Sequence, residues 1–276
     1  MINNIFALSK GFDIFGFTIY FYAFCILGGA LVALFLSNFR AKEEGFPSDL
    51  FNTIFLLALP MGIIGARAWY VIASWEDFAN NLSEIFAFRD GGLAIQGGAL
   101  LGALSGILFA FFRRKGMNLL QCADFAVPTI LVAQAIGRWG NFINQEVYGN
   151  AVNSSLYWLP SFIQNQMVIN GSYRVPLFFI EGIINLGGYI VIGRIIPQML
   201  KKHYLYGDQT FAYFTFYGIV RLILEPLRDS KFNMGAEAGS LRASSMAIVF
   251  IVIGLLLIIL NHLYHFYKNR KKEQSK

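Results

Sequence analysis

Charge is what this sequence has least of. Its 276 residues include 22 Lys/Arg and 16 Asp/Glu, 14% of the chain, against roughly 25% in a typical soluble domain. Hydrophobic residues supply 56%, among them 28 Phe. A soluble fold of this length leaves most residues in touch with water and has nowhere to hide so much apolar surface, so an ordinary soluble enzyme is excluded. Cysteine is nearly absent. Cys25 and Cys122 each lie within an apolar stretch and read as small buried hydrophobes rather than a redox or metal pair. The only histidines, His203, His262 and His265, fall on the side assigned below to the cytoplasm, which leaves no His/Cys metal cluster for the outer side. No internal repeat and no low-complexity linker divides the chain.

What is present is a succession of long apolar runs. A helix needs about 20 apolar residues to cross a bilayer at 1.5 Å per residue. Seven stretches come close to that length: Phe17–Phe35, Phe51–Ala73, Leu93–Phe112, Leu120–Ile136, Pro176–Pro197, Thr210–Leu227 and Met246–Leu263. They lack the polar/apolar alternation of a membrane barrel, and membrane backbone must satisfy its own hydrogen bonds. The expected fold is therefore an all-α integral membrane protein, a single polytopic domain over residues 1–276 with seven transmembrane helices.

The remaining charges orient it. Arg40, Lys42, Arg113, Arg114, Lys115, Lys201 and Lys202, with the tail residues Lys268, Arg270, Lys271, Lys272 and Lys276, fall on one side of this arrangement. Lys10, Arg89, Arg174, Arg228, Lys231 and Arg242 are fewer and fall on the other. The positive-inside rule puts the N-terminus outside and the C-terminus in the cytoplasm. The net charge of +6 comes largely from these anchors and does not point to nucleic acid. The first apolar run has no small-residue cleavage site and ends at Phe39-Arg40-Ala41-Lys42, which reads as a first membrane helix rather than a removable signal. Residues 266–276 read as a basic cytoplasmic tail. Residues 138–175, with Trp139, Tyr148, Tyr157, Trp158 and Tyr173, suit a small cap at the outer membrane–water boundary.

Ionisable groups inside apolar segments are the natural functional candidates, because each costs several kcal/mol unless it finds a partner. Arg67, Asp124, Arg138, Glu181, Arg194, Arg221 and Glu225 qualify. Arg194 sits near the inner end of its segment, where a long side chain snorkels to the headgroups. Asp124 fits a helix cap or an ion-pair partner. Arg221 and Glu225 are spaced i, i+4, share a helix face and would neutralise each other.

The densest cluster runs from Gly137 to Gly149, Gly-Arg-Trp-Gly-Asn-Phe-Ile-Asn-Gln-Glu-Val-Tyr-Gly. An apolar helix ends here in an arginine, two asparagines and a carboxylate interleaved with glycines. Arginine offers a permanent planar fork of donors suited to phosphate. Asn141 and Asn144 supply neutral donors and acceptors of the kind a polyol requires, and Glu146 is placed to hold Arg138 or to accept a hydroxyl. A second glycine-rich run spans Asp90 to Gly102. Its Gly98/Gly102 pair permits close helix approach. Gly91, Gly92 and a buried Gln96 suggest a re-entrant opening to the third helix. No Lys-Ser/Thr follows these glycines, which argues against a nucleotide loop.

These motifs resemble the prolipoprotein diacylglyceryl transferase family. The resemblance rests on Gly-Arg-x-x-Asn-Phe-x-Asn-x-Glu-x-x-Gly from Gly137 to Gly149 and on Asp-Gly-Gly-Leu-x-x-x-Gly-Gly from Asp90 to Gly98. Gly65-Ala66-Arg67 with Tyr70, Asp124-Phe125 with Pro128, and Tyr217-Gly218-Ile219-Val220-Arg221 with Glu225 and Arg228 extend it in order along most of the chain. There are two departures: Gln96 stands where many members carry His, and Val175-Pro176-Leu177-Phe178-Phe179-Ile180-Glu181 keeps only the Pro and Glu of the family's opening to the fifth helix.

The resemblance implies a cell-membrane enzyme acting toward the outer face. It would move the diacylglyceryl group of phosphatidylglycerol to the lipobox cysteine thiol of a prolipoprotein, forming a thioether and releasing glycerol 1-phosphate, with no cofactor. In that reading Arg138 and Arg221 take the lipid phosphate as the catalytic cations. Tyr22, Gln96, Asn141, Asn144 and Gly149 meet the substrate, while Glu146 and Glu225 steady the arginines. Glu146 and Tyr22 stand as alternatives for a base. A transporter or channel for an anionic solute also places arginines in broken helices, but it predicts two similar halves, which the sequence lacks.

Overall fold

The computed structural model describes residues 10–14, 17–47, 49–79, 81–87, 92–113, 116, 118–153, 156–232 and 239–274. Arg89, Asp90, Gly91, Arg114, Lys115 and Lys276, which figured in the charge and motif readings, lie outside the described residues. A short hairpin of β1 (Gly11–Ile14) and β2 (Phe17–Tyr20) leads into α1 (Phe21–Glu43), α2 (Asp49–Ala73) and the single turn α3 (Trp75–Phe78). Then come α4 (Ile95–Arg113), α5 (Leu119–Ala126) and α6 (Ile130–Asn144). A small mixed region follows: β3 (Ala151–Val152), α7 (Ser161–Gln166), β4 (Val168–Ile169) and β5 (Ser172–Arg174), its strands paired antiparallel in the order β3-β5-β4. The chain closes with α8 (Leu177–Ile190), α9 (Ile196–Leu200), α10 (Asp208–Leu224) and α11 (Gly239–Gln274).

Among the described residues six helices, not seven, are long and apolar enough to cross a membrane: Phe21–Glu43, Asp49–Ala73, Gln96–Arg113, Leu119–Asn144, Leu177–His203 and Ala243–Gln274. The segment expected at Thr210–Leu227 forms α10, whose 17 residues span roughly 25 Å against a hydrocarbon core of about 30 Å. Its limits are local. Gly207, at φ 107°, turns the chain into the helix, and a 3₁₀ turn at Glu225–Leu227 ends it beside Pro226. Other boundaries also move. The first helix begins at Phe21 rather than Phe17, because Phe17–Tyr20 pairs as a strand, and it continues to Glu43. The fourth helical run is broken at Val127–Thr129 by Pro128 and then continues past Ile136 to Asn144, so the first residues expected in the cap are helical.

The chain forms two compact units, residues 36–122 and residues 1–35 with 123–276. In the former, α2 and α4 pack through a seam of small residues. A Cβ added at Gly65 or Gly97 would run into the other's carbonyl, and one at Gly98 or Gly102 would crowd the carbonyls of Gly62 or Ala58 at 3.1 and 3.2 Å. Lipid offers no hydrophobic force between helices, so such close backbone contact supplies the dispersion that joins them. The Gly98/Gly102 pair is thus part of a longer interlock. Arg67 proves to be an anchor within this unit. Its Nε donates to the Ile85 carbonyl at 2.9 Å, Nη1 to Gly92 at 3.1 Å and Nη2 to Glu84 at 2.5 Å. Tyr70 and Phe78 flank the guanidinium at 5.8 and 5.3 Å. The segment entering α4 is tied down by that fork, and Gly92 (φ 70°) has no room for a side chain beside Arg67 and Tyr70. Gln96, read as buried, is exposed on the first turn of α4.

In the other unit α6 is central. Its partner α1 approaches antiparallel: Gly29 lies on the Ala133 backbone, Gly137 meets Ile26 and Gly140 meets Tyr22. On α8, Phe178 stacks on Phe142 with ring centroids 4.3 Å apart, and Trp139 packs edge-on to Phe178 at 5.3 Å. This aromatic group continues into Tyr148, Leu156, Leu159, Ile163 and Met167, which form the core under the cap. Asp124 is a cap, one of the two roles its sequence position allowed. It is almost wholly buried and accepts hydrogen bonds from Gly207 N, Thr210 N, Thr210 Oγ1 and Tyr204 Oη at 2.7, 2.9, 2.6 and 2.6 Å. Arg194 lies half-buried on a π-helical turn, Val191–Ile195.

Candidate active site

The signature from Gly137 to Gly149 is half helix and half loop. Up to Asn144 it is the last part of α6, which carries Arg138, Asn141 and Asn144. The helix then stops because Gln145 takes the left-handed conformation, φ 54°. Gln166 completes the termination by donating from its amide to the Phe142 and Ile143 carbonyls at 3.2 and 2.9 Å, filling acceptors that a helix C-terminus leaves open. Val147 is also left-handed, at φ 53°, a conformation that crowds a β-branched side chain. The two turns leave Glu146 exposed and bury Tyr148.

Arg138 points to α8. Its Nη2 lies 2.5 Å from Glu181 Oε1, and Nη1 donates to Asn141 Oδ1 at 3.2 Å. The arginine side chain is 20% exposed and the glutamate side chain only 5%, so Glu181 is the buried brace of the pair. Glu146 was expected to steady Arg138, but the ion pair goes to Glu181. The reason is position. Glu181 sits on a neighbouring helix, whereas Glu146 lies beyond the turn that ends α6. Glu146 instead joins Arg138 in the electrostatic surroundings of Tyr22. Tyr22 itself rests on Gly140, where an added Cβ would come within 2.6 Å of its ring. Tyr20, its neighbour in sequence, is on the strand and exposed.

A second pair stands at the end of α10. Arg221 Nη2 lies 3.1 Å from Glu225 Oε2, as the i, i+4 spacing predicted, and the same oxygen is 3.6 Å from Arg228 Nε. Burial, followed by the field of Arg221, lowers the proton affinity of Arg228 from its ordinary value; Arg138 acts in the same direction, while Glu225 and Glu181 oppose it. Arg138 and Glu181 thus lie within electrostatic range of Arg228, and the five residues are treated as one cluster.

Backbone contacts hold the cluster to the signature loop. Gly149 forms a β-bridge with Arg228 and donates to the Val175 carbonyl at 2.9 Å. Asn150 N donates to Leu227 O at 2.9 Å, and Asp229 N to Tyr148 O at 3.1 Å. Position 149 must be glycine, because a Cβ there would lie 2.5 Å from Val175 Cβ and 2.8 Å from the Leu227 carbonyl oxygen. Arg174 pairs with Asp229 at 2.6 Å and lies against the Tyr148 ring.

Of the expected site residues, Tyr22, Arg138, Asn141, Asn144, Glu146, Gly149, Arg221 and Glu225 all belong to this unit. Asn144 Oδ1 is buried with no hydrogen-bond partner among the described residues. Gln96 belongs to the other unit. Two members of the cluster, Glu181 and Arg228, stand out in the sequence but carry no site role there. Glu181 carried one signal, an acid within an apolar run that demanded a cation; Arg228 carried another, its i, i+3 spacing from Glu225. In chemical terms the cluster is a permanent cationic surface at the end of apolar helices, braced by buried carboxylates and flanked by amides. Such a surface binds an oxyanion and stabilises charge that develops on it.

Comparison with known proteins agrees with this chemistry. The family model described as prolipoprotein diacylglyceryl transferase matches residues 10–260. The chain is 43% identical, over 260 residues, to proteins named phosphatidylglycerol–prolipoprotein diacylglyceryl transferase from Streptococcus pyogenes serotype M5 (strain Manfredo) and serotype M18 (strain MGAS8232). In each case the alignment covers 94% of this chain and 95% of the relative. With its apolar helices of crossing length, the chain is a multi-pass membrane protein. A match that extends over nearly the whole length, signature included, makes the chain a member of the prolipoprotein diacylglyceryl transferase family.

Proposed function

We propose that this protein transfers the diacylglyceryl group of phosphatidylglycerol to the lipobox cysteine of a prolipoprotein, at the outer face of the cell membrane. The observation that carries the reading is the pair of braced guanidiniums, Arg138 on Glu181 and Arg221 on Glu225. The thiolate sulfur attacks the glyceryl carbon that bears the phosphate. A C–S bond forms, the C–O bond breaks, and its electron pair stays on the phosphate oxygen of departing glycerol 1-phosphate. The thiol proton passes to water or to a nearby base. Such a displacement is limited by alignment and by leaving-group charge. Arg138 and Arg221 hold the phosphate, and nearby positive charge also favours the incoming thiolate. Asn141 and Asn144 orient the glycerol headgroup; Tyr22 and Gly149 shape the wall beside it. Glu225 fixes Arg221, and Glu146 takes a place near Tyr22 as a proton acceptor.

Counting α10 with its terminal 3₁₀ turn as a crossing gives seven helices, with the N-terminus outside, the C-terminal basic tail in the cytoplasm and residues 145–175 as an outer cap. This orientation puts the cluster on the side from which a secreted prolipoprotein presents its cysteine.

The test combines purified protein, phosphatidylglycerol and a lipobox peptide. A thioether-linked product is expected, reduced on the order of 10²–10³-fold in Arg138→Ala and unchanged in Arg113→Ala, which alters an exposed cation in the last turn of α4. Absence of product together with anion flux into liposomes would establish the transporter reading instead.

A further inference from the structure

Three guanidiniums and two carboxylates make up the cluster of Arg138, Arg221, Arg228, Glu181 and Glu225. Arg138 has a carboxylate to itself, but Arg221 and Arg228 share one. Arg228 comes off worse: Glu225 is 3.1 Å from Arg221 and 3.6 Å from Arg228, and Arg228 Nε is buried with no hydrogen-bond partner among the described residues. Its side chain is 10% exposed. An arginine that deeply buried normally finishes its donors on acceptors, since a buried charge left incomplete is costly. This one is held in place from behind instead, by the β-bridge to Gly149 and the flanking bonds of Leu227 and Asp229 to the signature loop. Without Arg228 the cluster is neutral; with it, the cluster carries one net positive charge.

We propose that Arg228 is a third phosphate ligand, and that its task is the leaving group: it binds the second negative charge that appears on the phosphate as the C–O bond breaks. The proposal rests on the transferase reading above. In the substrate the phosphate is a diester with one charge. Thiolate attack leaves the sulfur neutral in the thioether and turns the phosphate into a monoester that carries a second charge above its pKa of about 6. Arg138 and Arg221, largely neutralised by their carboxylates, suffice to position a monoanion. The net positive charge that Arg228 adds to the cluster is what favours the dianion over the monoanion, which is the difference that accelerates a reaction. The lowered proton affinity of Arg228 agrees with a cation that lacks its full complement of acceptors.

The distinguishing measurement is inhibition of thioether formation by two soluble probes, glycerol 1-phosphate and its methyl phosphodiester, between pH 5 and 8. The diester remains a monoanion throughout, so the ratio of the two inhibition constants reports the second charge of the monoester. In the wild-type protein the monoester should gain on the diester as pH rises through about 6, reaching about 10²-fold. Arg228→Gln should abolish that preference while leaving KM for phosphatidylglycerol within a few-fold and lowering kcat. Arg228→Lys, which restores the charge, should recover most of it. Lys231→Gln, an exposed cation nearby, should behave as wild type. A monoester preference that survives in Arg228→Gln overturns the proposal, and so does a loss that falls equally on both probes. Either result leaves the transferase reading intact provided the wild-type protein makes thioether; if it makes none, both fall together.

Discussion

Single residues in this site are held in conformations that they would not choose alone. Val147 is the clearest, at φ 53° between the exposed Glu146 and the buried Tyr148. A left-handed conformation costs a residue with a Cβ about 1–2 kcal/mol, and glycine escapes that cost. Comparing Val147→Gly with Val147→Ala isolates the backbone term, since neither variant retains the valine packing. Elsewhere glycine is the less stable of the two by roughly 0.5–1 kcal/mol; here Val147→Gly should be the more stable by about 1 kcal/mol. Thermal unfolding of the two variants in the same detergent checks it, and a higher midpoint for the alanine variant would show that the turn carries no strain. That Gln145 and Val147 are left-handed was not legible in the sequence. Neither is Gly or Asn, and nothing local calls for the turn; the contacts of the loop with Gln166, Leu227 and Arg228 impose it. The signature's glycines were legible as sites of close approach, and Gly140 and Gly149 serve that purpose against Tyr22 and Val175.

At the scale of elements, buried polar side chains do the work that a soluble protein assigns to hydrophobic burial. Asp124 is the anchor of α10: it takes two backbone N–H groups, at Gly207 and Thr210, together with the hydroxyls of Thr210 and Tyr204. Those N–H groups belong to the start of a helix that has no cap of its own, and the positive end of the helix dipole favours the carboxylate there. Asp124→Ala strands them, so a loss of about 1–3 kcal/mol per unsatisfied group is expected. It should appear as a lowered unfolding midpoint and as faster hydrogen exchange at residues 207–210. Exchange unchanged at these amides would mean that water replaces the carboxylate without loss. Because α10 carries Arg221 at its other end, the same variant should weaken phosphate binding without touching the site. Arg67 serves likewise for the entry to α4. Both residues were visible in the sequence as charges in apolar runs, but their anchoring roles were not, because the acceptors and donors that they meet are backbone groups, identical in every residue.

For the whole molecule, the arrangement of charge makes a prediction about sidedness. With Cys25 and Cys122 changed to Ser, a cysteine placed at Tyr157, 81% exposed in the cap region, should react with a membrane-impermeant maleimide in intact cells. One placed at Lys271, exposed near the end of α11, should react only after the membrane is opened. Labelling in the opposite order would reverse the orientation derived from the basic residues. The amino-acid order alone determined the class of the protein and most of its long helices, because a bilayer demands apolar length and punishes charge whatever the neighbours are. It also exposed the ingredients of the site, since each intramembrane ion stands out against a chain with so few. Only the tertiary structure decided how those ions are paired. Glu181 and Glu146 were both available to Arg138, and the packing of α8 on α6 selects Glu181. The i, i+3 spacing brings Arg228 to Glu225, but Arg221 holds the same carboxylate more closely, and the two arginines share its one negative charge. Pairing depends on distances of a few ångströms between segments far apart in sequence, and those distances exist only once the helices have packed.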